Sequence, residues 1–188
     1  IDQVGAPIRQ NIGKSRRVGI EVEIKMNFHS NWIWQPNITV SRNQNLDFYF
    51  KRNGSLENLG KTNLAYSPNL IIGNTILYKP SKNFQIGFLS KYVGKQYMGN
   101  IDSENSVLSE YFVNDLNAVY TWKPNKFLKE IKWSLLVNNI FNTKYESNGY
   151  FYTYDDTWST MGQVTTIEGA GYYPQAGINF LTGLSVQF

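Results

Sequence analysis

The sequence contains no cysteine and a single histidine, His29. A disulfide framework and a thiolate metal site are therefore excluded, and no multi-histidine metal centre can form. No run of residues approaches the ~20 consecutive apolar positions that a helix needs to cross a bilayer, and no long helical periodicity is present. Membrane-spanning strands stay possible, because their apolar side chains alternate with other residues and escape a window average.

Charge carries little information in this chain. The formal net charge is only +4, with 14 acidic residues among 188. The lysines at 79, 82, 123, 126 and 129 fall in predicted turns, where solvated charge is ordinary. The composition therefore gives no reason to expect a nucleic-acid partner.

Aromatic residues are abundant, with 13 Tyr, 11 Phe and 5 Trp, and they favour strands over helices. The clearest strand signal covers residues 16–28, where every even position from Val18 to Phe28 is apolar and no odd position carries a large apolar side chain. Such alternation places the two sets on opposite faces of one strand. The stretch exceeds the usual globular strand and suits a tilted transmembrane span of about 9–11 residues with its rims.

Six further strands follow, so the fold class predicted is an all-β antiparallel meander. The third strand faces ambiguously, because Ile71 and Leu77 are out of phase with their apolar neighbours. Residues 44–63 and 145–171 are predicted to be long loops. The predicted strands cover residues 32–43, 69–78, 84–97, 107–122, 131 onward, and 178–188.

The connections alternate in length, at about 3, 20, 5, 10, 8 and 27 residues, as in outer-membrane barrels with short periplasmic turns and long external loops. Aromatic residues gather at both ends of the strands, which two bilayer interfaces select. Seven strands are an odd number, and unpaired flanking strands would expose backbone groups to lipid. We therefore expect a segment of a larger transmembrane barrel, with residues 1–14 in an external loop and 15–188 in strands and loops.

One face of the predicted strands should contact lipid. We assign to this face residues from the first, fifth and last strands: Val18, Ile20, Val22, Ile24, Leu116, Leu184 and Val186.

Two carboxyl-terminal stretches resemble a known family. Residues 137–150, VNNIFNTKYESNGY, resemble the penultimate-strand motif of TonB-dependent outer-membrane receptors, particularly the Bacteroidetes type. The run YPQAG at 173–177, followed by Asn179, Phe180 and a final Phe188, resembles their closing strand. The runs GIEVE at 19–23 and KYVGKQY at 91–97 resemble recurrent strands of the same barrels. Ile178 departs from the pattern, since many relatives have Arg there.

The resemblance implies a barrel of about 22 strands with a plug in its lumen, of which this chain is the carboxyl-terminal third. The plug, and the segment that contacts TonB, would precede this chain. The function implied is active uptake of a scarce solute (siderophore, haem, cobalamin, peptide or glycan) across the outer membrane of a Gram-negative bacterium. The implied partners are outer-membrane lipid, the rest of the barrel, the plug and through it TonB, the barrel-assembly machinery and a surface lipoprotein.

No covalent chemistry or cofactor is expected, so the chain is not predicted to be an enzyme. His29 lies in a predicted periplasmic turn beside Ser30. The loop 145–171 is a candidate for solute contact, because exposed rings on a long loop are costly unless they stack on something. The alternative is that these rings pack against neighbouring loops or lie near lipopolysaccharide. The rings proposed to contact solute are Tyr150, Phe151, Tyr152, Tyr154 and Trp158.

Asp155 and Asp156 are adjacent acids that could bind a calcium ion, although the spaced ligands of a calcium loop are missing. By resemblance, a barrel-assembly signal is assigned to five residues of the closing stretch. A plain last strand that closes the barrel is the alternative reading. The residues of this signal are Tyr172, Gly183, Leu184, Val186 and Phe188.

Two other classes of protein stay open. A passive porin or a barrel-borne enzyme would need an open lumen or a catalytic cluster at the external rim. A soluble β-sandwich carbohydrate-binding module would be extracted without detergent, whereas a barrel would not. The sequence does not identify the solute.

Overall fold

A computed structural model of the chain describes residues 13–124 and 127–188. Residues 1–12 of the predicted external loop, and Lys126 of a predicted turn, lie outside the described residues. In the described ranges, no helix combines the length and hydrophobicity needed to cross a membrane. The strands are β1 Ser15–Glu23, β2 Met26–His29, β3 Trp32–Arg52, β4 Ser55–Asn63, β5 Leu70–Ser81, β6 Phe84–Val93, β7 Gln96–Tyr97, β8 Val107–Leu108, β9 Tyr111–Trp122, β10 Glu130–Asn138, β11 Glu146–Asp156, β12 Thr165–Pro174 and β13 Asn179–Gln187.

The main sheet is an antiparallel meander with the strand order β1-β3-β5-β6-β9-β10-β13. The short strand β2 continues the path of β1 and also pairs with β3. Two-residue turns join β2 to β3 and β5 to β6 at one end, which we name the short-turn end. The predicted all-β antiparallel meander is confirmed. The sheet is open, since β1 and β13 each pair with one neighbour among the described strands.

Pro36 explains why the first predicted strand is divided in two. Glu23 pairs with Asn37 and Met26 pairs with Trp34, so Pro36 lies opposite the gap. The Ile24 nitrogen donates to the Pro36 carbonyl at 3.0 Å, but proline has no N–H to donate in return. The ladder is therefore incomplete at Ile24 and Lys25, although the chain continues in the same direction.

One face of the meander is mostly apolar, although one row on it runs through Asn74, Ser90 and Asn114 and is polar. Directly paired residues of antiparallel strands lie on the same face, so the register identifies its rows. One row runs Val22, Ile38, Ile72, Tyr92 and Phe112; another runs Trp34, Ile76, Phe88, Leu116, Val137 and Phe180; a third runs Phe84, Tyr120, Trp133 and Leu184.

Many side chains of this apolar face are uncovered. Ile20 is 72% exposed and Leu184 is 70% exposed, although both lie in regular strands.

The register also resolves the facing of the third predicted strand. Ile71 pairs with Thr39 and Leu77 pairs with Gly87, which places these two side chains on the opposite face from Ile72 and Ile76.

Aromatic residues cluster at the short-turn end. Trp32 stacks on Tyr78 with 4.3 Å between ring centroids, and Phe28 lies 6.1 Å from Trp32. His29 is in this turn region as predicted, next to Ser30, whose hydroxyl lies 3.2 Å from the His29 Nδ1 atom.

The predicted loop at 44–63 is wrong, because this segment is a β-hairpin. β3 continues without interruption to Arg52, and β4 pairs back onto it. The turn between them has Asn53 at φ 51° and Gly54 at φ 77°. Two consecutive residues with positive φ form the tight turn that the twist of a hairpin prefers, and Asn-Gly is its usual sequence.

The predicted loop at 145–171 is also wrong over most of its length. β11 and β12 form a separate two-stranded sheet with Asp156 paired to Thr165 and Glu146 paired to Pro174. The terminal strand begins at Asn179, one residue after its predicted start, and Tyr172 and Tyr173 belong to β12 and not to the terminal strand. The predicted fourth and fifth strands are shorter than expected, and β7 and β8 pair in a small sheet between them.

The end of the sheet opposite the short turns carries the only buried core in the described part of the chain. We name this region the hairpin cap: residues 46–66, 94–110 and 143–178. Its interior lies between the cap and the adjoining strand ends. The buried apolar side chains are Phe48, Leu64, Val93, Met98, Leu108 and Val113.

Candidate functional site

Four aromatic rings form a ladder along β11 and the turn after it. We name Tyr150, Tyr152, Tyr154 and Trp158 the aromatic ladder. Successive ring centroids are 6.3, 6.4 and 5.9 Å apart, and neighbouring planes differ by 16°, 16° and 3°. The period of two along a strand places the three tyrosines on one face. Their exposed fractions are 38–49%, and Trp158 is 70% exposed.

Glycines of β12 make room for the ladder. Tyr150 pairs with Gly171, and Tyr152 pairs with Gly169. A Cβ atom at either glycine would collide with the ring opposite it. The tyrosine rings therefore lie across the neighbouring strand, which holds them in place while one side of each ring stays exposed.

Phe151 does not belong to the ladder. It alternates to the other face of β11, where its ring lies against Gly99 of the hairpin cap. There it lines a cleft together with Phe48 and Phe50 of β3. The structure thus brings four of the five predicted ring residues together and assigns Phe151 to packing between hairpins.

The two adjacent aspartates are engaged separately. The Asp156 carboxylate accepts hydrogen bonds of 3.0 Å from the backbone nitrogens of Trp158 and Ser159. Hydrogen bonding by Ser159, from its side chain and backbone, and by the Trp158 backbone lowers the pKa of Asp156 below its ordinary value. Asp155 instead accepts from the Thr166 hydroxyl at 2.9 Å and lies 3.6 Å from the Lys51 ammonium.

The described ranges contain no group of three or more His, Cys, Asp or Glu side chains arranged around a common point. Asp156 therefore stabilises a turn, and Asp155 contacts neighbouring strands. Ion binding by these two residues stays a prediction.

Glu168 of β12 joins three parts of the hairpin cap. Its carboxylate accepts hydrogen bonds from the Ser103 hydroxyl and from the Asn105 side chain, the latter at 3.0 Å. The Arg52 guanidinium at the end of β3 lies 3.9 Å away. Since the Glu168 side chain is mostly buried, these charge-assisted contacts are stronger than exposed ones.

The tips of the two hairpins are also bonded directly. The Asn53 backbone nitrogen donates to the Thr166 hydroxyl at 2.7 Å, and the Thr166 nitrogen donates to the Asn53 side-chain oxygen at 2.9 Å. This reciprocal pair fixes the β3/β4 turn beside the ladder.

A third contact attaches the linker after β4. The Tyr66 hydroxyl donates to the Gly149 carbonyl of β11 at 2.8 Å. Burial, and to a smaller extent the neighbouring Tyr173, raises the pKa of Tyr66, so this hydroxyl stays protonated as a donor at neutral pH.

The residues assigned to an assembly signal lie in two places. Gly183, Leu184 and Val186 are in β13, and Phe188 follows it; the Phe188 ring packs edge-on against Phe127 at 6.2 Å. The Lys129 ammonium donates to the Phe188 carbonyl at 2.7 Å. Tyr172 is separate from these, because its hydroxyl bonds the Asn105 carbonyl within the hairpin cap.

Sequence reasoning did not single out Glu168, Asn53 or Thr166 as partners. The Asn53-Gly54 dipeptide is a signal that could have revealed the first hairpin. No comparable local signal exists for Glu168, whose partners Ser103 and Asn105 are 65 and 63 residues away along the chain.

A seven-strand antiparallel meander, with an apolar face and long hairpins confined to one end, defines the chain as a fragment of a β-barrel wall. Residues 1–142 match the family model described as TonB dependent receptor-like, beta-barrel. The match covers most of the chain, which therefore belongs to the β-barrel family of TonB-dependent receptors. A search of curated proteins finds no match.

Solved structures show the same fold. The siderophore receptor PiuA from Acinetobacter baumannii aligns with a TM-score of 0.61 and 15% identity, over 91% of this chain and 22% of that chain. The closed form of the ferric-catecholate import receptor Fiu from E. coli K12 aligns with a TM-score of 0.63 and 17% identity, over 92% and 21%. The copper transporter OprC aligns with a TM-score of 0.59 and 19% identity, over 93% and 24%.

The chain spans less than a quarter of the length of these structures. They are transport receptors and not enzymes, and at these identities the likeness is one of fold.

Proposed function

We propose that this chain is the carboxyl-terminal part of the barrel of an outer-membrane receptor that takes up a scarce solute actively. The meander forms part of the membrane wall, and the hairpin cap faces the outside of the cell. Family membership supports this proposal, and so does the resemblance of the last two strands to the closing strands of such receptors.

The apolar face of the meander is the observation that carries the proposal. Exposed apolar side chains such as Ile20 and Leu184 need a hydrocarbon environment to cover them, since nothing in the described chain packs over them. Lipid supplies that environment in a barrel wall. We assign to lipid contact the same residues that the alternation indicates: Val18, Ile20, Val22, Ile24, Leu116, Leu184 and Val186.

The aromatic ladder is proposed to contact the solute. Its rings present one side to solvent, and flat apolar surfaces of this kind favour stacking with planar or cyclic groups. The hydrogen bonds between hairpins hold the ladder in one position, which lowers the entropic cost of binding. Siderophore, haem, cobalamin, peptide and glycan all remain candidate solutes.

The unpaired outer sides of β1 and β13 fit a larger barrel, in which further strands would satisfy their backbone groups. The remaining partners are part of the same proposal. A plug in the lumen couples to TonB, a surface lipoprotein acts at the hairpin cap, and the barrel-assembly machinery reads Gly183, Leu184, Val186 and Phe188, with Tyr172 as a separate contact.

The first experiment tests location and energy coupling. The full-length receptor is produced in its own host, membranes are separated on a density gradient, and solute uptake is measured with and without TonB. We expect the protein in outer-membrane fractions and uptake that requires TonB. Uptake independent of TonB would favour a passive porin, and extraction without detergent would favour a soluble module.

The second experiment tests the ladder. Trp158→Ala removes the most exposed ring of the ladder and does not uncover a glycine of β12. It should weaken solute binding about 3- to 10-fold if a stacking contact is lost. Phe141→Ala is the matched control, because this exposed ring lies outside the ladder. Candidate solutes are titrated against the purified receptor. Equal affinities for the two variants and the wild type would remove the ladder from the binding site.

A further inference from the structure

Three basic residues lie together where the apolar face of the meander meets the hairpin cap. Arg16 of β1, Arg42 of β3 and Lys61 of β4 line one cleft of about 280 Å³, together with Val18, Gln44 and Leu46. All three basic side chains are exposed. We name Arg16, Arg42 and Lys61 the basic cluster.

The basic cluster lies on the same face as the apolar rows and not on the opposite one. Val18 pairs directly with Arg42, and the next pair on this face toward the short turns is Ile20 with Val40. In the other direction, Arg16 pairs with Gln44. Along β1 and along β3, the face therefore changes from apolar to basic at the same level.

Among the described residues, no acidic side chain forms an ion pair with the cluster. The ion pairs of the described chain involve Lys51, Arg52 and Lys123, and none involves a residue of the basic cluster. Glu21 and Glu23 are close along β1 but alternate to the opposite face. Three like charges within one cleft repel each other, so an anion that contacts all three would be stabilised.

We propose that the basic cluster binds the phosphorylated headgroup of a lipid in the outer leaflet of the membrane. A lipid whose acyl chains lie on Ile20 and Val40 would place its headgroup at the level of Arg16 and Arg42. The arginine forks match phosphate oxygens in geometry, and Lys61 adds a further charge. Basic residues at the membrane surface contribute to anionic-lipid binding in this way.

This inference rests on the proposed membrane location of the chain. It is independent of the solute, because the basic cluster and the aromatic ladder share no residue and lie on different strands.

The test uses the full-length receptor in a non-ionic detergent, with bound lipid counted by native mass spectrometry. The probe is lipid A with its phosphates; dephosphorylated lipid A and inorganic phosphate are the comparison ligands. We expect retention of the phosphorylated lipid alone. The triple variant Arg16→Gln, Arg42→Gln, Lys61→Gln should bind it roughly 100-fold more weakly, given the contribution of each basic residue at a membrane surface.

The matched control also removes three positive charges. Lys79→Gln, Lys82→Gln and Lys132→Gln change a second basic cleft near the short-turn end, and lipid binding should be unchanged. Equal loss in both triple variants, or equal retention of dephosphorylated lipid A, would overturn the proposal. Tight binding of inorganic phosphate without retention of lipid would also overturn it in favour of a free-anion site.

Folding of each variant is checked by heat-modifiable migration in gels. Should the triple variant not fold, Arg42→Gln and Lys61→Gln are measured singly, each with an expected loss of about fivefold, and Arg42→Lys should retain most binding. Unchanged single variants would then overturn the proposal. Density-gradient fractionation separates the two hypotheses: outer-membrane location without a role for the cluster ends only this inference, whereas absence from the membrane ends the proposed function.

Discussion

The meander and the hairpin cap are built from the same type of strand but cover their apolar side chains in opposite ways. In the cap, Phe48, Leu64 and Met98 are buried by neighbouring hairpins, and at its boundary the buried Asn45 side chain donates to the Thr62 hydroxyl at 2.9 Å. In the meander, residues such as Ile20 are largely exposed on the apolar face. The difference teaches that the cap is a conventional protein interior, whereas the meander is the region for which we propose cover by lipid.

A charge on the apolar face should have the largest effect. Ile38→Arg places a guanidinium in the row of Val22 and Ile72, and we expect a loss of about 2–4 kcal/mol of stability in a bilayer. Thr39→Arg is the matched control on the opposite face, beside Glu21, and should cost little. Urea midpoints of the full-length receptor folded into vesicles check this, and equal midpoints would mean that this face does not meet lipid.

A side chain beneath the aromatic ladder should have the next largest effect. Gly169→Val collides with the Tyr152 ring, and overpacking of this kind costs about 1–3 kcal/mol. Ala170→Val, one residue along and exposed, should be tolerated. Hydrogen exchange should accelerate in β11 and β12 of the first variant but not in the meander. Acceleration throughout the meander would show that the two regions are coupled more tightly than their separate sheets indicate.

Removal of the Glu168 carboxylate should loosen the cap without unfolding it. Glu168→Ala leaves Ser103, Asn105 and Arg52 without their shared acceptor, for an expected local cost of about 1–2 kcal/mol. Glu57→Ala is the control, since its contact with Arg52 is 3.8 Å and largely exposed, and such pairs contribute little. Proteolysis at residues 98–108 measures the effect. Identical cleavage rates in both variants would contradict it.

The smallest expected effect is that of low pH on the turn that Asp156 stabilises. Because hydrogen bonds to its charged form lower the pKa of Asp156, its ionised state stabilises the turn above the ordinary carboxyl pKa of about 3.9. That contribution is lost as the pH falls through the lower folded value. Trp158 fluorescence should therefore change in strongly acidic solution, and Asp156→Ala should show the acid spectrum already at neutral pH. A pH-independent spectrum in the wild type would show that the turn does not depend on this carboxylate.

The strands of the meander could be predicted because a strand of any protein alternates its side chains with a period of two. Val18, Ile20 and Val22 fall on one face for that reason alone, and the register confirms their common face. The hairpins of the cap were predicted as loops, because polar residues such as Asn58 and Thr62 outnumber apolar ones there. The Asn53-Gly54 turn was the missed indication.

The aromatic ladder was predicted only as a group of rings in one segment. Alternation along β11 separates Phe151 from Tyr150 and Tyr152, which could have been expected once the segment was taken as a strand. The contacts of Glu168 could not have been expected from the sequence, because periodicity within one segment does not indicate which distant loop folds beside it. A Bacteroidetes origin, the assembly signal and the solute stay predictions.

The reciprocal bonds between Asn53 and Thr166 join residues 113 positions apart. Local turns close quickly, but contacts of this separation wait until most of the intervening chain is in place. The β3/β4 hairpin can therefore form early and must remain undocked until β11 and β12 have been added. The contact between the two hairpins is consequently completed late, and an interrupted or truncated chain would display the β3/β4 hairpin without its neighbour.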